Sequence, residues 1–110
     1  MRKKPSFEVK VVYVHSAEGQ GTLIDLSEGG ARLSSGQVAL RKGQKMAVAF
    51  LLPRGTDKVE TMPIFAIGEV VWHKIDMSGQ KFAHLSGVKF LMILPEHTQL
   101  IREFIRPVSN

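Results

Sequence analysis

Hydrophobic and polar positions alternate along most of the chain. In residues 7–14, Phe-Glu-Val-Lys-Val-Val-Tyr-Val, the spacing puts Phe7, Val9, Val11 and Tyr13 on one side, which predicts a strand with one buried face. Glu18, Gly19, Gln20 and Gly21 supply turn chemistry. Residues 22–26 resume an extended pattern until Ser27-Glu28-Gly29-Gly30 interrupts it, and residues 31–33 read as another short extended piece. The polar stretch 34–44, with Gly36 and Gly43, suits a connection. Residues 45–52 hold a run of seven apolar residues that suits a buried strand, ended by Pro53 and a loop of Arg54, Gly55, Thr56 and Asp57. A long β-rich stretch follows over 63–75, and its central Gly68 predicts a bulge or bend. Met77, Ser78, Gly79 and Gln80 close a hairpin whose partner strand, 82–92, carries Gly87 near its middle.

After Pro95 the period changes. Leu100, Ile101, Phe104 and Ile105 recur at helical spacing, with Thr98, Gln99, Arg102 and Glu103 between them. Pro95 suits a first helical position, Glu96 complements the positive end of the dipole, Arg102 and Arg106 the other end, and Pro107 stops the helix. Short strands followed by one helix, with glycines inside the two longest strands, predict an all-β fold with one C-terminal helix: a six-stranded antiparallel β-barrel. The expected layout is a single domain over 1–110, with a basic arm at 1–6, a barrel at 7–93 and a helix at 95–106.

Composition adjusts this picture in three ways. The 110 residues suit one domain, and 44% apolar against 23% charged is ordinary for a soluble globular chain. The absence of cysteine excludes disulfides, thiolate catalysis and cysteine-ligated zinc or iron–sulfur sites. A formal charge of +5 and a pI near 9.8 favour an anionic partner, with the densest positive cluster at Arg2, Lys3 and Lys4. That cluster is followed by alternation containing Glu8 and Lys10 rather than the apolar run of a signal peptide. No later run approaches the ~20 apolar residues of a spanning helix, so no membrane span and a cytoplasmic location are expected.

Catalytic chemistry is poorly represented. His15, His73, His84 and His97 stand 58, 11 and 13 residues apart, without the spacing of a helical metal pair. Ser27 lacks the Gly-x-Ser-x-Gly elbow of a nucleophile. No catalytic residue, metal site or enzymatic activity is expected, and the histidines read as surface or strand residues. Asp25 and Ser27 are more informative, because residues at i and i+2 on a strand share a face. Here that face adjoins Gly29 and Gly30, where a flat ligand can approach the backbone. Asp and Ser also shape turns through their own backbone, and paired glycines supply positive φ, so a turn without a ligand explains the same residues.

Taken together, these residues resemble the PilZ domain family, whose pattern is an Arg-x-x-x-Arg arm before the first strand and an Asp/Asn-x-Ser-x-x-Gly motif after the second. Asp25, Ser27 and Gly30 match the second motif in full. The resemblance continues through Gly68-Glu69-Val70-Val71-Trp72, Gly87-Val88-Lys89-Phe90 and the terminal helix. It implies a PilZ-like split barrel serving as a non-enzymatic receptor for cyclic di-GMP in bacterial signal transduction. The implied ligand-binding residues are Arg2, Lys3, Lys4, Ser6, Asp25, Ser27, Gly29 and Gly30, with arm ordering altering the surface offered to an unidentified protein partner. One departure matters: with Arg2 at the first arginine position, Ser6 occupies the second. A lysine nearby supplies charge but not a bidentate, stacking guanidinium. The loss amounts to about 1.5–3 kcal/mol, or one to two decades of affinity.

The alternative from another class is a degenerate PilZ module that binds protein without nucleotide, favoured by Ser6. A single-stranded nucleic-acid barrel is less favoured, because Tyr13 and Trp72 fall on strand patterns that suit the core and leave few aromatics for base stacking.

Overall fold

The computed structural model describes residues 1–16, 18–54, 57–79 and 81–106, with the side chains of 54 and 57–59 outside that description. Six strands, β1 (Lys10–Val14), β2 (Glu18–Ser27), β3 (Gly30–Ser34), β4 (Lys45–Arg54), β5 (Asp57–Asp76) and β6 (Ala83–Ile93), precede one helix, α1 (Pro95–Ile105). All pairings are antiparallel, and the order β1-β2-β3-β6-β5-β4 closes on itself as a barrel. Closure gives every strand a hydrogen-bonded neighbour on each side.

The expected six strands and helix are all present, and the differences from the sequence reading have local causes. β1 begins at Lys10 rather than residue 7, although Val9 is already buried and its carbonyl accepts from Leu23 N at 2.8 Å. The turn expected at 18–21 is instead the start of β2, paired along Tyr13 and Val14. Gly19 lies under the Tyr13 ring, where a Cβ would overlap it. Expected closures at residues 55, 56 and 80 and the stop at Pro107 lie outside the described residues.

The run in β4 is buried on one face only. Met46, Val48, Phe50 and Leu52 point into the core, while Ala47 and Leu51 are exposed. An apolar run looks alike whether one face or both are covered.

The anticipated irregularities in the long strands are real. The β5–β6 register slips between Ile67 and Gly68 and again between Val70 and Trp72, and such slips bend and twist a sheet toward closure. At Gly68 a Cβ would collide with the Val88 side chain. The core joins Val11, Leu26, Leu33, Ile64 and Val70 to Ile101 and Ile105 of α1, with Leu100 and Phe104 packed at its edge. The helix thus buries its apolar stripe against β2, β4 and β5. Among the described residues, no helix is long and apolar enough to cross a membrane.

Candidate functional site

The β2–β3 corner gathers the polar side chains singled out in the sequence. Leu26 points inward and is fully buried, so its neighbours Asp25 and Ser27 face outward together, as strand alternation requires. Ser27 pairs with Gly30, leaving Glu28 and Gly29 as a two-residue turn. Neither Gly29 nor Gly30 has positive φ; among the described residues only Gly36 and Gly43 do. The expectation that this pair supplies positive φ is therefore corrected. Gly30 is needed for close approach, since a Cβ there would overlap the Val88 carbonyl of β6. Nothing lies within 4 Å of a Cβ built at Gly29, so its surface is open to a ligand. The turn is tied to β6 by Phe90 N donating to Gly29 O at 2.8 Å.

The basic arm lies along β2. Lys3 forms an antiparallel bridge with Leu26, each N–H donating to the other's carbonyl at 2.9 Å. That bridge aims the Arg2 side chain at the corner, where its Nε donates to Asp25 Oδ1 and its Nη1 to Ser27 Oγ at 3.2 Å. Ser27 Oγ in turn donates to Gly30 O at 3.2 Å. The Lys3 ammonium turns away, 4.6 Å from the centre of the Phe104 ring on α1, an arrangement in which the cation meets the negative face of the π system. Lys4 and Ser6 are exposed.

Three residues outside the expected ligand-binding set complete it. Arg32 stands directly across from Asp25 in the β2–β3 register, with Nη1 3.4 Å from Asp25 Oδ2. The Asp25 carboxylate, 15% exposed, is therefore held between two guanidinium groups. Trp72, expected in the core, is instead half-buried on the outside, because the slip after Val70 turns it outward and pairs it with Gly87. Any side chain at residue 87 would meet the indole ring. Lys89 of β6 closes the rim of a cleft of about 310 Å³ shared with Arg2, Ser27, Arg32 and Trp72. A larger cleft of about 540 Å³, bordered by Glu28, Arg102 and Arg106, meets the first at Ser27 and Gly29. Arg102 Nε lies 3.0 Å from Glu28 Oε1 and links the helix to the turn. The arrangement offers cations, a hydroxyl, a carboxylate and an aromatic face to one ligand of mixed anionic and planar character. Among the described residues no group of three or more histidines and carboxylates is arranged to hold a metal ion.

The PilZ domain family model matches residues 2–106. No curated protein matches the sequence. Among solved structures, the Bacillus subtilis inhibitor of motility, MotI (DgrA), superposes with a TM-score of 0.76 at 16% identity, covering 91% of this chain and 45% of that one. This chain thus spans less than half of that protein's length. The PilZ domain of Escherichia coli YcgR, in a structure with c-di-GMP, gives a TM-score of 0.68 at 14% identity over 96% of this chain and 86% of that one. At these identities the likeness is one of fold.

Proposed function

The chain belongs to the PilZ domain family, and from that premise we propose that it is a non-enzymatic receptor for cyclic di-GMP. The observation that carries this reading is the convergence of Arg2, Ser27, Arg32 and Trp72 on one cleft, with Asp25 holding both arginines beside it. Guanine presents O6 and N7 to a bidentate guanidinium, which suits Arg2. The Asp25 carboxylate accepts from the N1 and N2 edge, and Ser27 Oγ reaches base or phosphate. A cyclic dinucleotide exceeds the smaller cleft, so it spans both where they meet at Ser27 and Gly29. Lys4, and Lys3 once it leaves the Phe104 ring, add charge beside the phosphates. A YcgR PilZ domain that carries c-di-GMP on the same fold supports the ligand class.

The proposed response is an ordering of the arm. Without ligand, its only backbone bridge among the described residues is at Lys3. Ligand contacts at Arg2 add to that tie and fix residues 1–6 on the barrel, changing the surface offered to a protein partner. A cytoplasmic setting fits a soluble second messenger. Isothermal titration with cyclic di-GMP tests the proposal: binding is expected, weakened in Arg2→Ala and Asp25→Ala, and no heat at high micromolar ligand refutes it. The alternative, a module that binds protein without nucleotide, draws on Arg2 being engaged by Asp25 and on Ser6 at the second arm position. A partner held equally with and without nucleotide supports it.

A further inference from the structure

Ser27 and Gly29 belong to two clefts, and each cleft brings its own arginines. Arg2 and Arg32 line the smaller one, beside the Asp25 carboxylate that holds them both. Arg102 and Arg106 line the larger, about 540 Å³, together with Glu28 and Ile105. These two arginines stand one helical turn apart, a spacing that puts side chains on one face. Arg106 N donates to the Arg102 carbonyl at 2.9 Å and holds that last turn closed. The Glu28 carboxylate meets Arg102 Nε at Oε1, 3.0 Å away, and a carboxylate has acceptor sites to spare for further donors. A carboxylate paired with guanidinium groups thus stands on each side of Ser27.

We propose that the larger cleft is a second guanine subsite, in which Glu28, oriented by Arg102, reads the base while Arg106 holds the adjoining phosphate. The inference rests on the corner taking cyclic di-GMP, and it adds which residue selects that ligand over other cyclic dinucleotides. Cyclic di-GMP consists of two identical halves, each with one guanine and one singly charged phosphate. With one half at Asp25, Arg2 and Arg32, the other falls in the larger cleft, because the two clefts meet at Ser27 and Gly29. There the purine finds an apolar wall in Ile105. The Watson–Crick edge of guanine carries two adjacent donors, N1–H and N2–H, which one carboxylate accepts side by side. Adenine has a bare acceptor at N1, so the same carboxylate would face a lone pair and leave both groups unsatisfied. The Arg106 guanidinium gives the phosphate a planar, charge-assisted pair of donors. Glu28 fills a free position of the Asp/Asn-x-Ser-x-x-Gly pattern, so the selectivity it sets is a property of this chain.

Titration calorimetry of the full chain compares cyclic di-GMP with the mixed cyclic dinucleotide of guanosine and adenosine. Cyclic di-GMP is expected to bind about tenfold or more tighter than the mixed ligand. In Glu28→Gln the side-chain amide accepts from adenine N6–H and donates to adenine N1. That variant is therefore expected to bind the mixed ligand at least as tightly as cyclic di-GMP. The Glu28 side chain is 51% exposed and its ion pair with Arg102 is screened by solvent, so folding is retained. Losing the Arg102 contact alone moves both ligands together, so the ratio separates base reading from support of the turn. Arg106→Ala is expected to weaken both ligands alike, by about threefold or more, since both carry the phosphate. Cyclic di-GMP bound with equal affinity to the mixed ligand, or a ratio that Glu28→Gln leaves within about twofold, overturns the subsite and spares the receptor reading. Affinities unmoved by Arg106→Ala overturn the phosphate contact. Absence of any cyclic di-GMP binding refutes the receptor reading and this inference with it.

Discussion

Replacing Arg32 by alanine separates a role in ligand binding from a role in holding the barrel. Its Nη1 is 3.4 Å from Asp25 Oδ2 and its side chain is 49% exposed, so solvent screens the pair strongly. Arg2 also remains on Asp25 after the change. The stability cost is therefore about 0.5 kcal/mol or less, a fall in Tm of no more than about 3 °C for a chain of this length. Ligand binding responds differently. If Arg32 supplies the guanidinium that Ser6 does not, its removal costs about 1.5–3 kcal/mol, a rise in Kd of roughly 10- to 100-fold. Arg32→Lys restores the charge without the planar fork and regains only part of the loss. Titration calorimetry with cyclic di-GMP gives Kd for the three proteins, and a fluorescence melt gives Tm. A Kd unchanged within about twofold refutes the assignment. So does a fall in Tm above about 8 °C, which would make the lost affinity a consequence of unfolding.

Two further outcomes follow from buried groups. Burial raises the Tyr13 pKa above 10.0, so this lone tyrosine should titrate above that value by absorbance near the phenolate band. A pKa raised on folding means stability present below the unfolded value and lost as pH rises through the folded one; Tyr13→Phe should therefore flatten the alkaline loss of stability. Ser86 is fully buried and its Oγ has no hydrogen-bond partner among the described residues. Ser86→Ala should accordingly be neutral or raise stability by up to about 1 kcal/mol in urea melts, since it removes an unpaired polar group; a loss above about 2 kcal/mol would show that the hydroxyl is satisfied.

Local pattern carried most of the fold. Alternation at Val9, Val11 and Tyr13, the switch to helical period after Pro95, and the glycines at 68 and 87 are properties of neighbours in sequence, and backbone geometry turns them directly into strands, a helix and bends. The same logic put Asp25 and Ser27 on one face. Where the sequence reading went astray, the missing quantity was a contact between distant residues. Gly19 and Gly21 look like a turn until Tyr13 and Ser34 are seen lying against them. Gly30 looks like a positive-φ residue until β6 passes close to it. The apolar run of β4 could not reveal that one of its faces stays in water.

The chain by itself thus determined a strand-rich fold with a terminal helix and the polar corner from Asp25 to Gly30, because each depends on residues within one or two turns of each other. Only the tertiary structure brought Arg32, Trp72 and Lys89 to that corner. Their arrival depends on antiparallel register and on the slip after Val70, which are set by closing the barrel rather than by any local preference. The same closure aligned Ala47 and Ala49 beside Phe65 and Ile67, turning scattered apolar positions on separate strands into one continuous face.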